Sequence, residues 1–246
     1  MAGVKTLFAI NPALDIAAHA ARFAATGRVQ LRDVLTPDSA AALQMVLARG
    51  TDWGMAVGAG AAKPESFSSA RTRTPQGQQA LRDASRNAEQ HSARGEYGFR
   101  FAHYPILEAM REGRDPGGPH EILLEHLNAP AFLDLVRAVT GIGALCKADG
   151  QATLYGPSHY LGRHNDSHVA EGWEVAYVLN LARDDWHPDW GGYLLFLDEA
   201  GDVIEGFRPR FNALNLFRVP QPHLVSYVPP FAPVGRMAVT GWLRNR

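Results

Sequence analysis

The sequence predicts an α+β fold in which N-terminal helices buttress a β-sandwich or jelly roll. Three observations carry this expectation. The first half of the chain reads mainly as helix. From Gln151 onward the pattern changes to short alternating strands. Turns with Asp, Gly, Pro or Asn separate most of those strands. Helices first and strands later is the order of a sheet covered by a helical layer, not of strands alternating with helices.

Each element has a local reason. Residues 15–26 are alanine-rich and predict a helix ended by Gly27. Residues 28–35 (RVQLRDVL) alternate polar and apolar, which predicts a strand. Thr36-Pro37-Asp38 then reads as a helix start, with Thr as N-cap, Pro at the first helical position and an acid in the first turn. That helix carries Ala41, Leu43, Val46 and Leu47 and ends at Arg49-Gly50. Residues 54–96 are rich in Gly, Ala, Ser, Gln and Arg and poor in large apolar side chains. Within them, 75–94 can be helical, but with a thin apolar stripe. A mobile flap or exposed helical excursion is expected here. Residues 106–111 form a short helix, and 114–118 a Pro/Gly loop. Residues 121–127 and 130–139 are helices broken at Asn128-Ala129; Phe132, Leu135 and Val136 give the second its apolar stripe. Strands are expected at 152–155, 160–164, 174–181, 193–197, 211–218, 224–228 and 237–243. The chain is read as one domain over 1–246. Residues 1–150 are mainly helical support with the 54–96 excursion, and 151–246 are the jelly-roll core.

Composition narrows the class. With 46% apolar and 20% charged residues, the chain is of ordinary globular type. A net charge of −1 argues against non-specific binding to nucleic acid or anionic membranes. Cys146 is the sole cysteine, which excludes intrachain disulfides and thiolate zinc motifs and fits a reducing compartment. The apolar stretch within residues 1–10 is cut off by Asn11, Pro12 and Asp15, so it lacks a signal-peptide core, and no run reaches membrane-spanning length. A cytoplasmic protein without a membrane partner is expected. Gly58-Ala-Gly60 lacks the third glycine of a dinucleotide site, and neither a Gly-x-Ser-x-Gly elbow nor a P-loop lysine motif is present.

The chemistry concentrates in the strand region. His164-Asn-Asp166 places an imidazole and a carboxylate two residues apart, on one face if the strand continues. A second imidazole, from His223, would complete two His and one carboxylate, the facial set of non-haem Fe(II) oxygenases. His-x-Asp alone is a weak signal, and His187-Pro-Asp189 matches it too. Pro188 removes a ladder donor there, and Trp190-Gly191-Gly192 follows, so the second match reads as a loop. The bland alternatives remain open at this level. His164 and Asp166 suit a turn that Asp166-Ser167 opens, and His223 suits a hydrogen-bonded strand end. In residues 236–242 (RMAVTGW), Arg236, Ala238, Thr240 and Trp242 share one face, and Met237 and Val239 share the other with Leu243. Local pattern alone prefers Arg236 in solvent. If the Arg236 face points inward, the buried cation needs an anion, and a dicarboxylate would supply one. The planar guanidinium suits a carboxylate.

Taken together, these pieces resemble the prolyl-hydroxylase branch of the 2-oxoglutarate- and Fe(II)-dependent oxygenases. They are Tyr155-Gly-Pro-Ser-His-Tyr-Leu-Gly-Arg-His164-Asn-Asp166, Glu174-Val-Ala-Tyr177-Val-Leu-Asn-Leu181, Gly191-Gly192-Tyr-Leu-Leu-Phe196, Pro222-His223-Leu-Val-Ser226 and Arg236-Met-Ala-Val-Thr240-Gly-Trp242. The resemblance is nearest to the ribosomal-protein prolyl hydroxylases and their bacterial relatives. It implies a double-stranded β-helix, a jelly-roll variant. It implies Fe(II) on His164, Asp166 and His223, and the distal carboxylate of 2-oxoglutarate on Arg236. It implies that Tyr155, Thr240 and Trp242 line the cosubstrate pocket and that Tyr177 helps hold the distal carboxylate, although a one-residue strand shift would hand that role to Val178. Sheet core is the plain alternative for both tyrosines. O₂ is the implied co-reactant, ascorbate the implied reductant, and succinate and CO₂ the implied by-products of hydroxylation. The carboxylate at Asp166 favours hydroxylation, since related halogenases lack it. A prolyl residue in a protein or peptide is the expected substrate. A free amino acid or another small molecule is the alternative, and a non-catalytic metal-binding jelly roll is a third reading. The 54–96 region is expected to cover the metal mouth. Oligomeric state is not encoded in any motif found.

Overall fold

Strand pairing dominates the architecture. A computed structural model describes residues 7–166 and 172–246. In chain order the elements are α1 (Ile16–Thr26), β1 (Arg28–Arg32), α2 (Pro37–Arg49), β2 (Gly54–Ala59), β3 (Glu65–Phe67), α3 (Ser69–Thr72), α4 (Pro75–Ala93), β4 (Gly98–Tyr104), α5 (Ile106–Arg111), α6 (Pro119–Leu127) and α7 (Pro130–Thr140). There follow β5 (Lys147–Ala148), β6 (Gln151–Tyr155), β7 (Tyr160–His164), β8 (Trp173–Leu181), β9 (Leu194–Leu197), β10 (Val203–Phe207), β11 (Phe211–Arg218), β12 (His223–Val225) and β13 (Arg236–Arg244). The hydrogen-bonded path is β1-β11-β8-β13-β6-β4-β7-β12-β9-β10, with β2 and β3 attached through β4, and β5 through β13.

The path curls back on itself. Ala176 and Val178 of β8 and Ala238 of β13 pack with Leu194, Phe196 and Phe207 of β9 and β10, which lie at the far end of the path. This is the jelly-roll barrel expected of a double-stranded β-helix. The opposite face of β1, β8, β11 and β13 meets the helices. Leu31, Leu179, Leu214 and Val239 share a core with Leu43 and Leu47 of α2 and Phe132 and Val136 of α7. Each such leucine or valine, fully removed from water, stabilises the layer by roughly 1.5–3 kcal/mol. Strand alternation therefore buries both faces of β8 and β13, one against helices and one inside the barrel.

Local chemistry sets the ends. Asp15 caps α1 by accepting from the Ala18 amide, and Gly27 closes it in the left-handed conformation (φ 69°) that glycine tolerates best. The strand expected over 28–35 stops at Arg32, because Asp33 turns to φ 53°. Thr36 precedes α2 as expected, but its hydroxyl makes no capping hydrogen bond; Pro37 starts the helix without it.

The main correction concerns residues 54–96. They are not a flap standing off the protein. β2 pairs along its length with β4 and β3 adds to its other edge. The thin stripe of α4, Ala80, Leu81, Ala84 and Ala88, closes on Val57 and Phe67. Small residues suffice because α4 lies close on the sheet. β2, β3, β4, β5 and β10 had no counterpart among the expected strands. No helix among the described residues is long and apolar enough to cross a membrane.

Candidate active site

His164 is the last residue of β7 and His223 the first of β12, and the antiparallel register sets them opposite each other. Their ring centroids are 4.1 Å apart. In each ring Nδ1 meets a backbone carbonyl, Gly162 at 3.0 Å for His164 and Gln221 at 2.7 Å for His223. That contact fixes each ring and leaves Nε2 directed inward. Asp166 is not on the strand, so alternation does not aim it. It lies two residues past the strand end at φ 55°, and this left-handed turn brings its carboxylate between the rings. Oδ1 lies 3.3 Å from His164 Nε2, and Oδ2 lies 3.4 Å from His223 Nε2. Ser167, expected to open the turn with Asp166, lies outside the described residues.

The ligand atoms of His164, Asp166 and His223 all lie within 4.8 Å of one another, the one such cluster among the described residues. Two imidazole nitrogens and a carboxylate oxygen on one side of a point suit a divalent metal and leave its other side open. Burial and the neighbouring His164 hold the His223 imidazole down to about 4, so it is neutral and free to ligate near pH 7. Burial pushes the Asp166 carboxyl up, but the hydrogen bond from His164, the charges that His164 and His223 carry when protonated, and the indole of Trp242 outweigh it and lower its pKa, so the group is ionised at neutral pH. His187 and Asp189 behave as the loop reading expects. They sit on a short 3-10 turn with 59% and 75% of their side chains exposed, and His187 Nδ1 accepts from the Asp189 amide.

The triad opens into a cavity of about 390 Å³ that also contains Tyr155, Arg236, Thr240 and Trp242. The inward alternative holds for Arg236, which is only 2% exposed. Its Nε donates to Asn180 Oδ1 at 3.2 Å, its guanidinium lies 5.4 Å from the Tyr155 ring centroid, and its buried Nη1 has no acceptor. Among the described residues no carboxylate pairs with it. Burial depresses its pKa to about 10, which still leaves it cationic at neutral pH. A buried cation with a donor to spare calls for an anionic ligand group.

Tyr177 belongs to the cavity wall, but its phenol turns away from Arg236. On β8 it points to the helical layer, where its ring meets Phe132 at 5.8 Å and its hydroxyl donates to the Asp149 carbonyl at 2.6 Å. Ala176, Val178 and Asn180 occupy the other face of the strand, the face of Arg236. Val178, paired with Thr240, is thus the residue of this strand whose side chain lies on the Arg236 face of the cavity. Trp242 stacks on Trp173 at 4.0 Å beside Asp166.

Several wall residues escaped the sequence reading. Phe99, Phe101 and His103 project from β4, and Tyr97 lies 5.9 Å from the His164 ring. Glu65 and Ser66 of β3 line the same cavity, and Ser66 Oγ is 3.0 Å from His103 Nε2. Asn180 was legible in principle, since an amide inside the apolar run Val178-Leu179-Asn180-Leu181 must find a buried partner.

Comparison with known proteins bears on this geometry. Residues 150–244 match the 2OG-Fe(II) oxygenase superfamily. This segment is a 2-oxoglutarate-dependent oxygenase domain. Membership implies Fe(II), 2-oxoglutarate and O₂ as cofactors of the domain, and the His-Asp-His cluster and Arg236 both fall within it. No curated protein matches the chain in sequence. Among solved structures, a Pseudomonas putida prolyl-4-hydroxylase is similar at 21% identity and TM-score 0.58, covering 94% of this chain and 99% of that one. A Burkholderia pseudomallei oxidoreductase of the 2OG-Fe(II) oxygenase family is similar at 14% identity and TM-score 0.60, covering 97% and 94%. A Trichoplax adhaerens prolyl hydroxylase, in complex with a hypoxia inducible factor peptide fragment, is similar at 16% identity and TM-score 0.57, covering 94% and 89%. The oxygenase domain therefore sits in a prolyl-hydroxylase-like fold.

Proposed function

We propose that the protein hydroxylates a prolyl residue in a protein or peptide, using 2-oxoglutarate and releasing succinate and CO₂. The observation that carries this reading is the shared cavity of the His164-Asp166-His223 cluster and the unpaired Nη1 of Arg236. One feature suits a metal and the other the far carboxylate of a dicarboxylic acid. Fe(II) with bound 2-oxoglutarate would supply the O₂ activation needed to hydroxylate an unactivated C–H bond.

The chain's own residues have separable tasks in this reading. His164, Asp166 and His223 hold the metal on one side. Arg236, set by Asn180 and faced by Tyr155, fixes the distal carboxylate. Thr240 and Val178 flank the cosubstrate, and Trp242 closes against Asp166. Phe99, Phe101 and the Tyr97 ring provide an apolar approach for a substrate C–H group. A peptide substrate is supported by the prolyl hydroxylases of similar fold. Residues 54–67 would then contribute to the substrate wall, as β3 supplies Glu65 and Ser66.

Anaerobic addition of Fe(II) and 2-oxoglutarate tests the first half of the proposal. A visible metal-to-ligand charge-transfer band is expected, lost in His164→Ala and kept in His187→Ala. Its absence from the intact protein would overturn the metal and cosubstrate assignment. Succinate release with proline-containing peptides, checked by mass spectrometry for one added oxygen, tests the second. Turnover of free proline but not of peptides would move the substrate to the small-molecule class.

A further inference from the structure

A second depression, of about 330 Å³, lies between α1, β1 and the loop joining β10 to β11. Arg32, Arg208, Arg210 and Tyr193 are part of its wall. Its basic character follows from strand alternation. Val29 and Leu31 are buried in the helical core, so Arg28, Gln30 and Arg32 point the other way. Across from them, Pro209 separates Arg208 from Arg210 and restricts the backbone that presents both side chains.

The charges here are not internally balanced. Glu205 balances only part of the periphery, pairing with both Arg22 and Arg28 at 2.6 Å each. Among the described residues, Arg32, Arg208 and Arg210 form no ion pair. Arg208 Nη1 reaches only the Trp186 carbonyl, at 3.3 Å, and the buried Nε atoms of Arg208 and Arg210 have no acceptor. Burial, then the charges of Arg208 and Arg32, depress the ionisation of Arg210, while Tyr193 and Asp184 act in the opposite sense. Three neighbouring guanidiniums without an ion pair, two of them with a buried Nε lacking an acceptor, favour an anion among them.

We propose that this depression binds a phosphate-class dianion, either free phosphate or the phosphoryl group of a larger molecule. Arg22, Arg28, Arg32, Arg208 and Arg210 set against Glu205 and Asp184 leave an excess of positive charge, which suits a multiply charged anion of phosphate type. Guanidinium forks match tetrahedral oxyanions through paired hydrogen bonds. The site is distinct from the cosubstrate anchor. Tyr193 lines it, whereas the preceding Gly192 lies against Arg236, where a Cβ would sit 3.6 Å from the Arg236 Cδ. The two cationic groups therefore flank one stretch of backbone.

Isothermal titration of the intact protein at constant ionic strength tests this. The probes are inorganic phosphate, O-phosphoserine and acetate, and the variants are Arg210→Gln, Arg32→Gln and Arg236→Gln. Saturable phosphate binding is expected, weakened about tenfold or more by Arg210→Gln and Arg32→Gln, the scale of one charge-assisted hydrogen bond, and unchanged in Arg236→Gln. Tighter binding of O-phosphoserine would identify an attached phosphoryl group as the ligand, and tighter binding of inorganic phosphate the free ion. No saturable binding, equal binding of acetate, or loss only in Arg236→Gln would overturn the site. Circular dichroism reports the folding of each variant. Arg32 is exposed on its strand, so Arg32→Gln carries the test if Arg210→Gln does not fold.

Discussion

Arg236 is held by Asn180 at one edge and left open at the other. The Nε-to-Oδ1 hydrogen bond spans 3.2 Å, and it fixes the plane of a guanidinium whose Nη1 has nothing to donate to. Asn180 is itself immobilised, donating to the Val178 and Ala213 carbonyls, each at 3.3 Å. Changing the amide to an acid would give the cation an internal partner. We predict that Asn180→Asp raises the KM for 2-oxoglutarate by about 10²-fold while leaving Fe(II) binding intact, because the new carboxylate competes with the ligand. Steady-state kinetics and equilibrium metal titration would check it; an unchanged KM contradicts the arrangement.

Removing the cation itself separates function from stability. Arg236→Gln should raise the KM for 2-oxoglutarate by about 10²-fold or more. Yet the unliganded variant should unfold at the same or higher denaturant concentration, since a buried unpaired charge is costly. A large loss of stability would mean that the guanidinium has a structural partner instead.

Metal retention depends on the carboxylate turn. Asp166→Asn and His223→Ala should each lower Fe(II)-dependent turnover by at least about 10³-fold, with His187→Ala unaffected. Turnover and iron content measured on the same preparations would separate loss of metal from loss of fold. Wild-type turnover by Asp166→Asn would refute the ligand assignment.

Tyr177 and Val178 should respond in opposite ways. Tyr177→Phe leaves the half-buried Asp149 carbonyl without its phenolic donor and should destabilise the protein by about 1 kcal/mol with KM unchanged. Val178→Phe intrudes into the cavity and should raise KM. Urea unfolding and kinetics on the pair distinguish the two faces of β8, and reversed effects would invert the strand assignment.

Acid sensitivity should arise in part from His159, away from the metal cluster. Burial, together with the charge of Arg100, lowers its pKa to about 4, against a contact with the Leu154 carbonyl that raises it. The unfolded chain binds this proton near pH 6.5 and the folded chain only near 4. Its contribution is therefore present above about pH 6.5 and is lost as pH falls through about 4. His159→Gln should flatten the stability profile across that window in urea titrations, and an unchanged slope would exclude the residue.

The legible parts of the sequence were those with local causes. Asp15, Gly27 and the prolines at 37 and 130 placed helix ends, and alternation placed β7 and β11 to the residue. The triad could be named because Pro188 set aside the rival His187-Pro-Asp189 match and the ordered neighbours of His164 resemble the oxygenase pattern. What stayed hidden was non-local. β2 reads Gly-Met-Ala-Val-Gly-Ala and becomes a strand only because β4 pairs with it. The facing of Tyr177 depended on a burial pattern that is apolar on both sides. Asp166 reaches the histidines through a backbone turn that no side-chain periodicity reveals.

The position of β4 has a further consequence. It lies between β6 and β7 in the strand path, although both follow it by some fifty residues in the chain. The stretch that carries Tyr155 and Arg236 is thus joined to the stretch that carries the histidines through a strand from outside residues 150–244. That segment is therefore not a transplantable unit. Excised, it would keep every proposed ligand and lose the seam that aligns them.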